Sequence, residues 1–202
     1  EIDQCHRYFY NKDGLLQGEQ DAKGYVKAYT HDAGGRIQET HHFATCTAIN
    51  FAINNFKGIC PAPSEDDVLI FSFSNGRNQM SLFVNGEGFL THYKYWPNGL
   101  CRSKRVFSKK VAADWLANPV GLPPLPIESE KDHVTFYFYD LLDRPLSVAT
   151  PLHAQKTTQY DKMGQIIGEI NQDAHAPESL DADNRRSQYK HYDGWQQKIA
   201  EA

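Results

Sequence analysis

The chain has 202 residues, 40% of them hydrophobic, with a mean hydropathy of -0.62 and a formal net charge of -4. No stretch approaches the ~18 apolar residues of a membrane-spanning helix. The net charge gives no broad electrostatic reason to bind nucleic acid or anionic lipid. Aromatic residues reach 12%, with 11 Tyr and 11 Phe, which is typical of half-buried strands and argues against a helical bundle or a disordered chain.

A short motif indicates the architecture: Asp or Asn is followed three residues later by Gly. It occurs at residues 11–14, 21–24 and 32–35, and the three places return, with some substitutions, at a spacing of 64 to 65 residues. The later places are 75–78, 85–88 and 96–99, then 140–143, 150–153 and 161–164. Asp or Asn with Gly is typical of tight turns, and a fixed period indicates tandem copies of one unit. We therefore predict three β-meander blocks with these motifs as hairpin corners.

Each block is predicted to contain four antiparallel strands, because the segments between corners are short and rich in aromatic and branched residues. The predicted strands are 4–10, 15–20, 25–31 and 36–43, then 68–74, 79–84, 89–95 and 100–107, and last 134–139, 145–149, 154–160 and 165–170. Asp143 and His153 replace glycine in the third block, so those two corners are expected to be less regular. Pro145 is expected at a sheet edge or at a bulge.

Two connectors separate the blocks, and a third follows them. Apolar residues in 44–57 and in 108–118 recur at helical spacing, which predicts a helix in each connector. Ser108 is the expected N-cap of the second helix, and Phe51 and Trp115 are expected to be equivalent. A proline-containing extended stretch follows each helix, and the third connector, 171–186, is more polar and weakly helical. The predicted organisation is block 1 at 1–43, connector 44–66, block 2 at 67–107, connector 108–132, block 3 at 133–170, and a polar connector with the start of a further partial repeat at 171–202.

Residues 29–37 read YTHDAGGRI, which resembles the YD repeat (Tyr-x-x-Asp-x-x-Gly-Arg-Leu/Ile) of Rhs proteins and of the B and C components of insecticidal toxin complexes. Residues 137–144 resemble it again, with Asp143 at the glycine position, and residues 160–164 and 192–195 are partial copies. The resemblance implies a fragment of a larger chain, built as a β-strip that forms part of a shell around a toxic polypeptide. The connectors depart from the family pattern, because its repeats are usually more continuous.

The resemblance also implies partners and a location. The implied partners are the remainder of the same polypeptide or other toxin-complex subunits, with a glycan as an alternative. The implied location is secreted or at the cell surface. No toxin domain follows Asp193 in the sequence, so a cargo is expected to lie outside this fragment.

No motif predicts catalysis, and no catalytic, cofactor-binding or metal-ligating residue is assigned. Asn11, Asp32, Asp140 and Asp161 recur at corners, so they are expected to form turns rather than to act in chemistry. The neighbours His41 and His42 point to opposite faces of a predicted strand and are not expected to share a metal. A Ser/His/Asp arrangement stays open, although no nucleophile-elbow motif is present. The best remaining oxygen cluster for a cation is 181–184.

The four cysteines and the basic residues have structural interpretations. Cys5, Cys46, Cys60 and Cys101 include no Cys-x-x-Cys pair, which disfavours a zinc site. A disulfide between Cys46 and Cys60 stays open, and Cys101 is expected to be a small core residue. The basic residues at 102–105 and 109–110 are expected to be a solvated strand edge and helix start.

The first strand of a block has aromatic residues on both faces. Tyr8 and Tyr10 flank Phe9, and 136–139 alternates Phe and Tyr. One interpretation packs these rings against the connectors and against each other across strands. The other is a cell-surface module that binds carbohydrate or protein through Tyr and Trp, including Trp96 and Trp195. We favour the first: a mainly β, non-enzymatic structural segment without cofactor. An enzyme would need a pocket, for which only the connectors could serve.

Overall fold

The computed structural model describes residues 5–151, 154–172, 185–192 and 198–201. The described chain is a run of antiparallel strands in which each strand is hydrogen-bonded to the next in sequence, with very little helix. The strands are β1 (Arg7–Tyr10), β2 (Leu16–Gln20), β3 (Val26–His31), β4 (Ile37–His42), β5 (Val68–Ser74), β6 (Met80–Val84), β7 (Phe89–Tyr95), β8 (Cys101–Lys110), β9 (His133–Tyr139), β10 (Pro145–Ala149), β11 (Gln155–Tyr160), β12 (Ile166–Gln172), β13 (Arg185–Tyr192) and β14 (Lys198–Glu201). The predicted β-meander is confirmed, and the strands lie where the sequence places them, with ends that differ by a few residues.

The register contains the same irregularity at one corner after another. In the β3–β4 pair, Tyr29 lies opposite Thr40, and the register then shifts between Thr30 and His31, beside the corner. The pairs β1–β2, β5–β6, β9–β10 and β11–β12 shift at the equivalent place. The shift in β9–β10 falls between Pro145 and Ser147, so the expectation of a bulge at Pro145 is confirmed. A bulge suits proline there because the ladder is already interrupted.

The chain divides into two compact units, which are described one at a time. The first unit comprises Glu1–Thr91 and Lys109–Ile127, and the second comprises His92–Ser108 and Glu128–Ala202. The division into blocks and connectors at the boundaries given above stays a prediction.

In the first unit, the core lies between strands and connector residues. Phe9, Val26, Phe43 and Ile59 form a buried cluster against which Phe56 packs. The ring centroids of Phe9 and Phe56 are 5.8 Å apart. A Cβ atom on Gly18 would lie 2.1 Å from Phe56, so only glycine leaves room for this ring. Farther along the same unit, Trp115 lies with its ring centroid 5.0 Å from that of Phe71 and 6.2 Å from that of Phe73.

The helix expected at 44–57 is wrong. The first connector contains bends, turns and one 3-10 helix, Phe56–Gly58, for which the side chain of Asn55 accepts a hydrogen bond from the amide of Gly58. Two contacts explain the difference. The amide of Thr47 donates to the carbonyl of Gly24, and the side chain of Asn50 accepts from the amide of Ala52. Asn side chains that bond nearby amides favour turns over helix.

The second predicted helix is shorter than expected. Strand β8 continues to Lys110, and the helix α1 is only Ala113–Ala117, with Ala112 at its N-cap and no capping side chain. Ser108 is therefore not an N-cap. The equivalence of Phe51 and Trp115 is also wrong, because Phe51 is 65% exposed whereas Trp115 is buried. Phe56, not Phe51, is the residue of the first connector that packs on a strand as Trp115 does.

In the second unit, the described side chains end at residue 172, and β13 and β14 follow as strands. Phe107, Ser103, Ser147 and Asp132 are buried, whereas Phe136 and Phe138 are not. The predicted weak helix at 171–186 is not formed at its start, since residues through Gln172 belong to β12. Its remainder falls largely on 173–184, outside the described residues, as do the cation candidate 181–184, His153 and Trp195.

Candidate functional site

The hairpin corners share one backbone geometry. In each corner, the amide of the fourth residue donates to the carbonyl of the first, as from Gly14 to Asn11 at 3.1 Å. The amide of the first residue donates to the carbonyl of the residue that follows the fourth, as from Asn11 to Leu15 at 2.8 Å. The fourth residue has a left-handed φ, between 60° and 94°. This is a type I turn followed by a left-handed residue at a bulge. The full pattern occurs in the corners that begin at Asn11, Asp21, Asp32, Asn75, Asn85, Trp96, Asp140 and Asp161.

The first side chain of the corner closes the turn. Oδ1 of Asn11 accepts from the amides of Asp13 at 2.9 Å and Leu15 at 2.8 Å. Asp21, Asp32, Asn75, Asn85, Asp140 and Asp161 each accept from the amides two and four residues later in the same way. The corner at Trp96 instead uses Asn98, which accepts from the amide of Leu100 at 3.2 Å. The prediction that the recurring Asn and Asp residues form turns is confirmed.

The expectation of a less regular corner at Asp143 is wrong. Its amide donates to Asp140 at 3.1 Å, and its φ of 60° is the left-handed value found at the glycines. Asn and Asp tolerate this region better than other residues with a Cβ, and here the side chain gains a bond as well. Asp143 Oδ1 accepts from Asn98 Nδ2 at 2.8 Å, as Asn78 at the equivalent place accepts from Arg36 Nη1 at 2.8 Å.

The Arg of the YD motif donates a hydrogen bond to the Asp of the same motif. Asp32 Oδ2 accepts from Arg36 Nε at 2.7 Å, and Asp140 Oδ2 accepts from Arg144 Nε at 2.6 Å. Hydrogen bonds from Arg36 lower the pKa of Asp32; at Asp140 burial alone would raise the pKa, but the bonds from Arg144 outweigh it and lower it. These carboxylates are therefore ionised and fully engaged, which suits a structural role and not proton transfer.

Two buried carboxylates, Asp67 and Asp132, lie at the ends of the two connectors and were not found from the sequence. Their side chains are 5% and 1% exposed. Asp132 accepts from the amides of Ser108 at 3.0 Å and Ser129 at 3.1 Å, from both hydroxyls at 3.0 and 3.1 Å, and from Arg105 Nη1 at 3.1 Å. We call each such carboxylate with its donors a connector clasp.

The clasp of Asp67 has the same plan. It accepts from the amides of Ala44 at 2.8 Å and Ser64 at 3.0 Å, from the Ser64 hydroxyl at 2.8 Å, and contacts His41 Nε2 at 2.7 Å. Burial alone would raise the pKa of Asp67 and Asp132, but the amide and side-chain donors outweigh it and hold both pKa values far below the usual range. The sequence did contain a signal, because Ser-x-x-Asp occurs at 64–67 and again at 129–132, 65 residues later.

The first clasp contains Ser, His and Asp but not in a catalytic order. Ser64 donates to Asp67 and not to His41, whereas an activated nucleophile must donate to the histidine. Among the described residues, no group of three His, Cys, Asp or Glu is arranged to hold a metal ion. The open disulfide alternative is wrong, since Cys46 and Cys60 are free thiols, and burial raises the pKa of the Cys60 and Cys101 thiols.

Aromatic residues divide between the faces as expected in the first strand. Phe9 is 8% exposed, whereas Tyr8 and Tyr10 are 54% and 61% exposed. Burial raises the pKa of Tyr29 to about 12, and the neighbouring Glu19 carboxylate adds to the shift. On the neighbouring strands, the face that carries Tyr8 is therefore partly polar and ion-paired, because Glu19 on β2 lies opposite Tyr8 and binds Lys27 on β3 at 2.7 Å.

Two of the depressions in the second unit have both aromatic and acidic residues in their lining. The larger, about 1070 Å³, is lined by Arg105, Glu128, Asp132, Phe136 and Gln155 among others. The smaller, about 300 Å³, is lined by Trp96, Pro97, Asn98, Phe138, Tyr139, Asp140 and Asp143. Trp96 has the Arg102 guanidinium 4.7 Å from its ring centroid. In the larger depression the hydroxyl of Ser129 donates to Asp132 at 3.1 Å, but the lowered pKa of that carboxyl makes it a weak base.

No family model and no curated protein matches the sequence. In fold, the whole chain matches part of the TcdB2-TccC3-TEV crystal structure, with a TM-score of 0.60 and 11% identity. It matches part of the TcdB2-TccC3 crystal structure with a TM-score of 0.60 and 12% identity. The chain spans 9% of the length of each of these matched chains. No helix among the described residues is long and apolar enough to cross a membrane.

Identities this low show the fold alone, and they agree with the resemblance inferred from the YD motifs at 29–37 and 137–144. The corners that carry those motifs are the elements that repeat along the strand order. The expected resemblance to toxin-complex components is confirmed at the level of the fold: this chain has the architecture of a segment of TcdB2-TccC3.

Proposed function

We propose that this chain is a non-enzymatic structural segment of a larger YD-repeat protein, in which it forms part of a β-sheet wall that encloses or presents a toxic polypeptide. The observation that carries the proposal is the complete engagement of the recurring carboxylates. Asp32 and Asp140 bond two turn amides and a neighbouring Arg, and Asp161 bonds two turn amides, so the repeated carboxylates serve the sheet. The fold likeness to TcdB2-TccC3, of which the chain spans 9%, supports a segment of a long wall.

The partners that fit this role are the remainder of the same polypeptide and other toxin-complex subunits. A secreted or cell-surface location fits the same role. Both statements follow from the proposed function and are tested with it.

The test uses limited proteolysis of the full-length protein that carries this segment. We expect the enclosed polypeptide to resist protease in the wild type and to become cleavable when two corners are destabilised by Gly14→Val with Gly35→Val. Gly76→Val is the matched control, because Gly76 lies in a corner at a position without a left-handed φ and with no atom near its would-be Cβ. Unchanged protection in the double variant, with the corners shown to be destabilised, would contradict an enclosing role.

A second candidate is a surface that binds carbohydrate at the depression beside Trp96. The observation in its favour is the clustering of Trp96, Tyr139 and the Asn98 amide around about 300 Å³. Arg102 already lies over the Trp96 ring, which makes this candidate the weaker one. Titration with oligosaccharides, followed by indole fluorescence, would favour it only if Trp96→Ala removes the response and Trp115→Phe retains it.

A further inference from the structure

Equivalent phenylalanines of the blocks differ in exposure. Phe71 and Phe73 on β5 are 3% and 7% exposed, and Phe9 on β1 is 8% exposed. Phe136 and Phe138 on β9, which follow Phe71 and Phe73 by 65 residues, are 44% and 45% exposed. The same strand position is thus covered in two blocks and open in the third.

An aromatic residue from a connector covers each of the two buried positions. Phe9 lies against Phe56, and Phe71 and Phe73 lie against Trp115. We call Phe56 and Trp115 the covering aromatic residues; each comes from the connector that follows its block. The sequence that follows the third block, 173–184, contains no Phe, Tyr or Trp, and four of its twelve residues are Asp or Glu. The chain therefore offers no covering aromatic residue at the corresponding place in its sequence.

The exposed Phe136 lies at a depression that has both apolar and polar side chains in its lining. Phe136 lines the depression of about 1070 Å³ together with the apolar side chains of Val134 and Ala149. The ion pair of Arg105 with Glu128, 3.0 Å long, and the amide of Gln155 lie at the same depression. An aromatic side chain buries about 150–250 Å². The depression thus offers an apolar floor for one ring and polar groups for the backbone beside it.

We infer that the Phe136 and Phe138 face of β9 binds a polypeptide segment from outside these 202 residues that presents an aromatic side chain. One Phe or Trp side chain of that segment packs on Phe136, as Phe56 and Trp115 pack within the chain. The inference rests on the proposed function and deepens it, since it names the surface by which the wall contacts another polypeptide. The chemistry of the partner is an aromatic residue on a short helical turn, like Phe56 and Trp115, held by apolar contact and by hydrogen bonds at its edges.

The test uses the 202-residue chain and a fluorescein-labelled peptide of residues 108–120, which includes Trp115 and so carries one covering aromatic residue. We expect saturable binding by fluorescence anisotropy, and binding at least tenfold weaker for the same peptide with Trp115→Ala. Phe136→Ser should also weaken binding at least tenfold, whereas Phe136→Leu should retain most of it. Phe51→Ser is the matched control, because Phe51 is 65% exposed but lines neither depression. Circular dichroism checks that each variant keeps its sheet.

Four outcomes would overturn the inference. They are the absence of saturable binding, binding that survives Phe136→Ser, a dimer in light scattering that Phe136→Ser dissociates, and a tenfold gain in peptide affinity when 173–184 is replaced by a Gly/Ser linker of equal length. The third would make a second copy the occupant, and the fourth would make the chain's own segment the occupant. None of them removes the proposed wall function, because that function is tested by corner variants and protease protection.

Discussion

Carboxylates serve two different purposes in the corners and in the connector clasps. A corner Asp such as Asp161 bonds amides two and four residues away, whereas Asp132 bonds Ser108, 24 residues away. The corner fixes a turn from local sequence alone, and the clasp closes a long loop. A side chain that satisfies a nearby turn is replaceable by water, but one buried with five donors is not. Each recurring acid of the YD motif is therefore expected to contribute modestly to stability. The connectors are held by the buried acids of the two clasps, which do not belong to that motif.

The largest expected effect is at the second clasp. Asp132→Ala should lower the free energy of unfolding by about 3 kcal/mol, because it leaves Arg105 and the donors of Ser108 and Ser129 without their acceptor. Urea denaturation measures the change. Glu130→Ala, at an exposed position of the same connector, is the control and should change stability little. A loss at Asp132 no larger than at a corner would break the comparison.

Acidification should act mainly through the clasps. Asp67 and Asp132 have pKa values held below the usual range in the folded chain, so their ionisation stabilises the fold above the unfolded pKa of about 3.9 and this stability is lost as pH falls toward the folded values. From pH 5 to pH 3, Asp132→Asn should therefore lose about 1 kcal/mol less stability than the wild type. Denaturation at each pH gives the slope. Equal slopes would mean that Asp132 does not titrate in this window.

Replacement of a corner glycine should lower the stability of the fold because its φ is left-handed. Gly14 has a φ of 78° and no atom within 4 Å of its would-be Cβ, so Gly14→Val should destabilise by about 2 kcal/mol from backbone strain alone. Gly76→Val has equal space without the left-handed φ and should cost under about 0.5 kcal/mol. Thermal unfolding of the two variants compares them directly. Similar losses in both would show that space, and not φ, limits the corner.

The loss of one corner side chain should have a small effect. Asp161→Ala removes two hydrogen bonds to amides at a solvent-accessible turn and should cost about 1 kcal/mol. Its neighbour Lys162→Ala, exposed in the same turn, is the control. A cost at Asp161 as large as at Asp132 would remove the distinction between corners and clasps.

The difference between local and distant bonds explains how much the sequence could predict. Strands and corners were predicted nearly residue by residue, because Asn11 or Asp32 bonds only groups within four residues, and such patterns are legible in sequence. The error at Asp143 was of the other kind, because the bond that supports this corner comes from Asn98, 45 residues away. The other corners could be predicted without tertiary information, and each repeat gave a further example of the same pattern.

The connectors were misjudged for the opposite reason. The spacing of apolar residues in 44–57 fits a helix. However, Thr47, Asn50 and Asn55 make hydrogen bonds to backbone groups, and these bonds favour turns. In addition, Phe56 occupies a space left by Gly18 on another segment. Ser108 looked like an N-cap because Ser is a good one, but its partner Asp132 lies beyond the helix. Such pairings were visible only as the 65-residue return of Ser-x-x-Asp.

Because most hydrogen bonds of a corner lie within five consecutive residues, we expect the duplication or deletion of a hairpin to need few compensating changes elsewhere. The size of the enclosure proposed here would then vary in steps of one hairpin. The clasped loops set the limit to this freedom, since a cut between Ser108 and Asp132 would separate an acid from its donors.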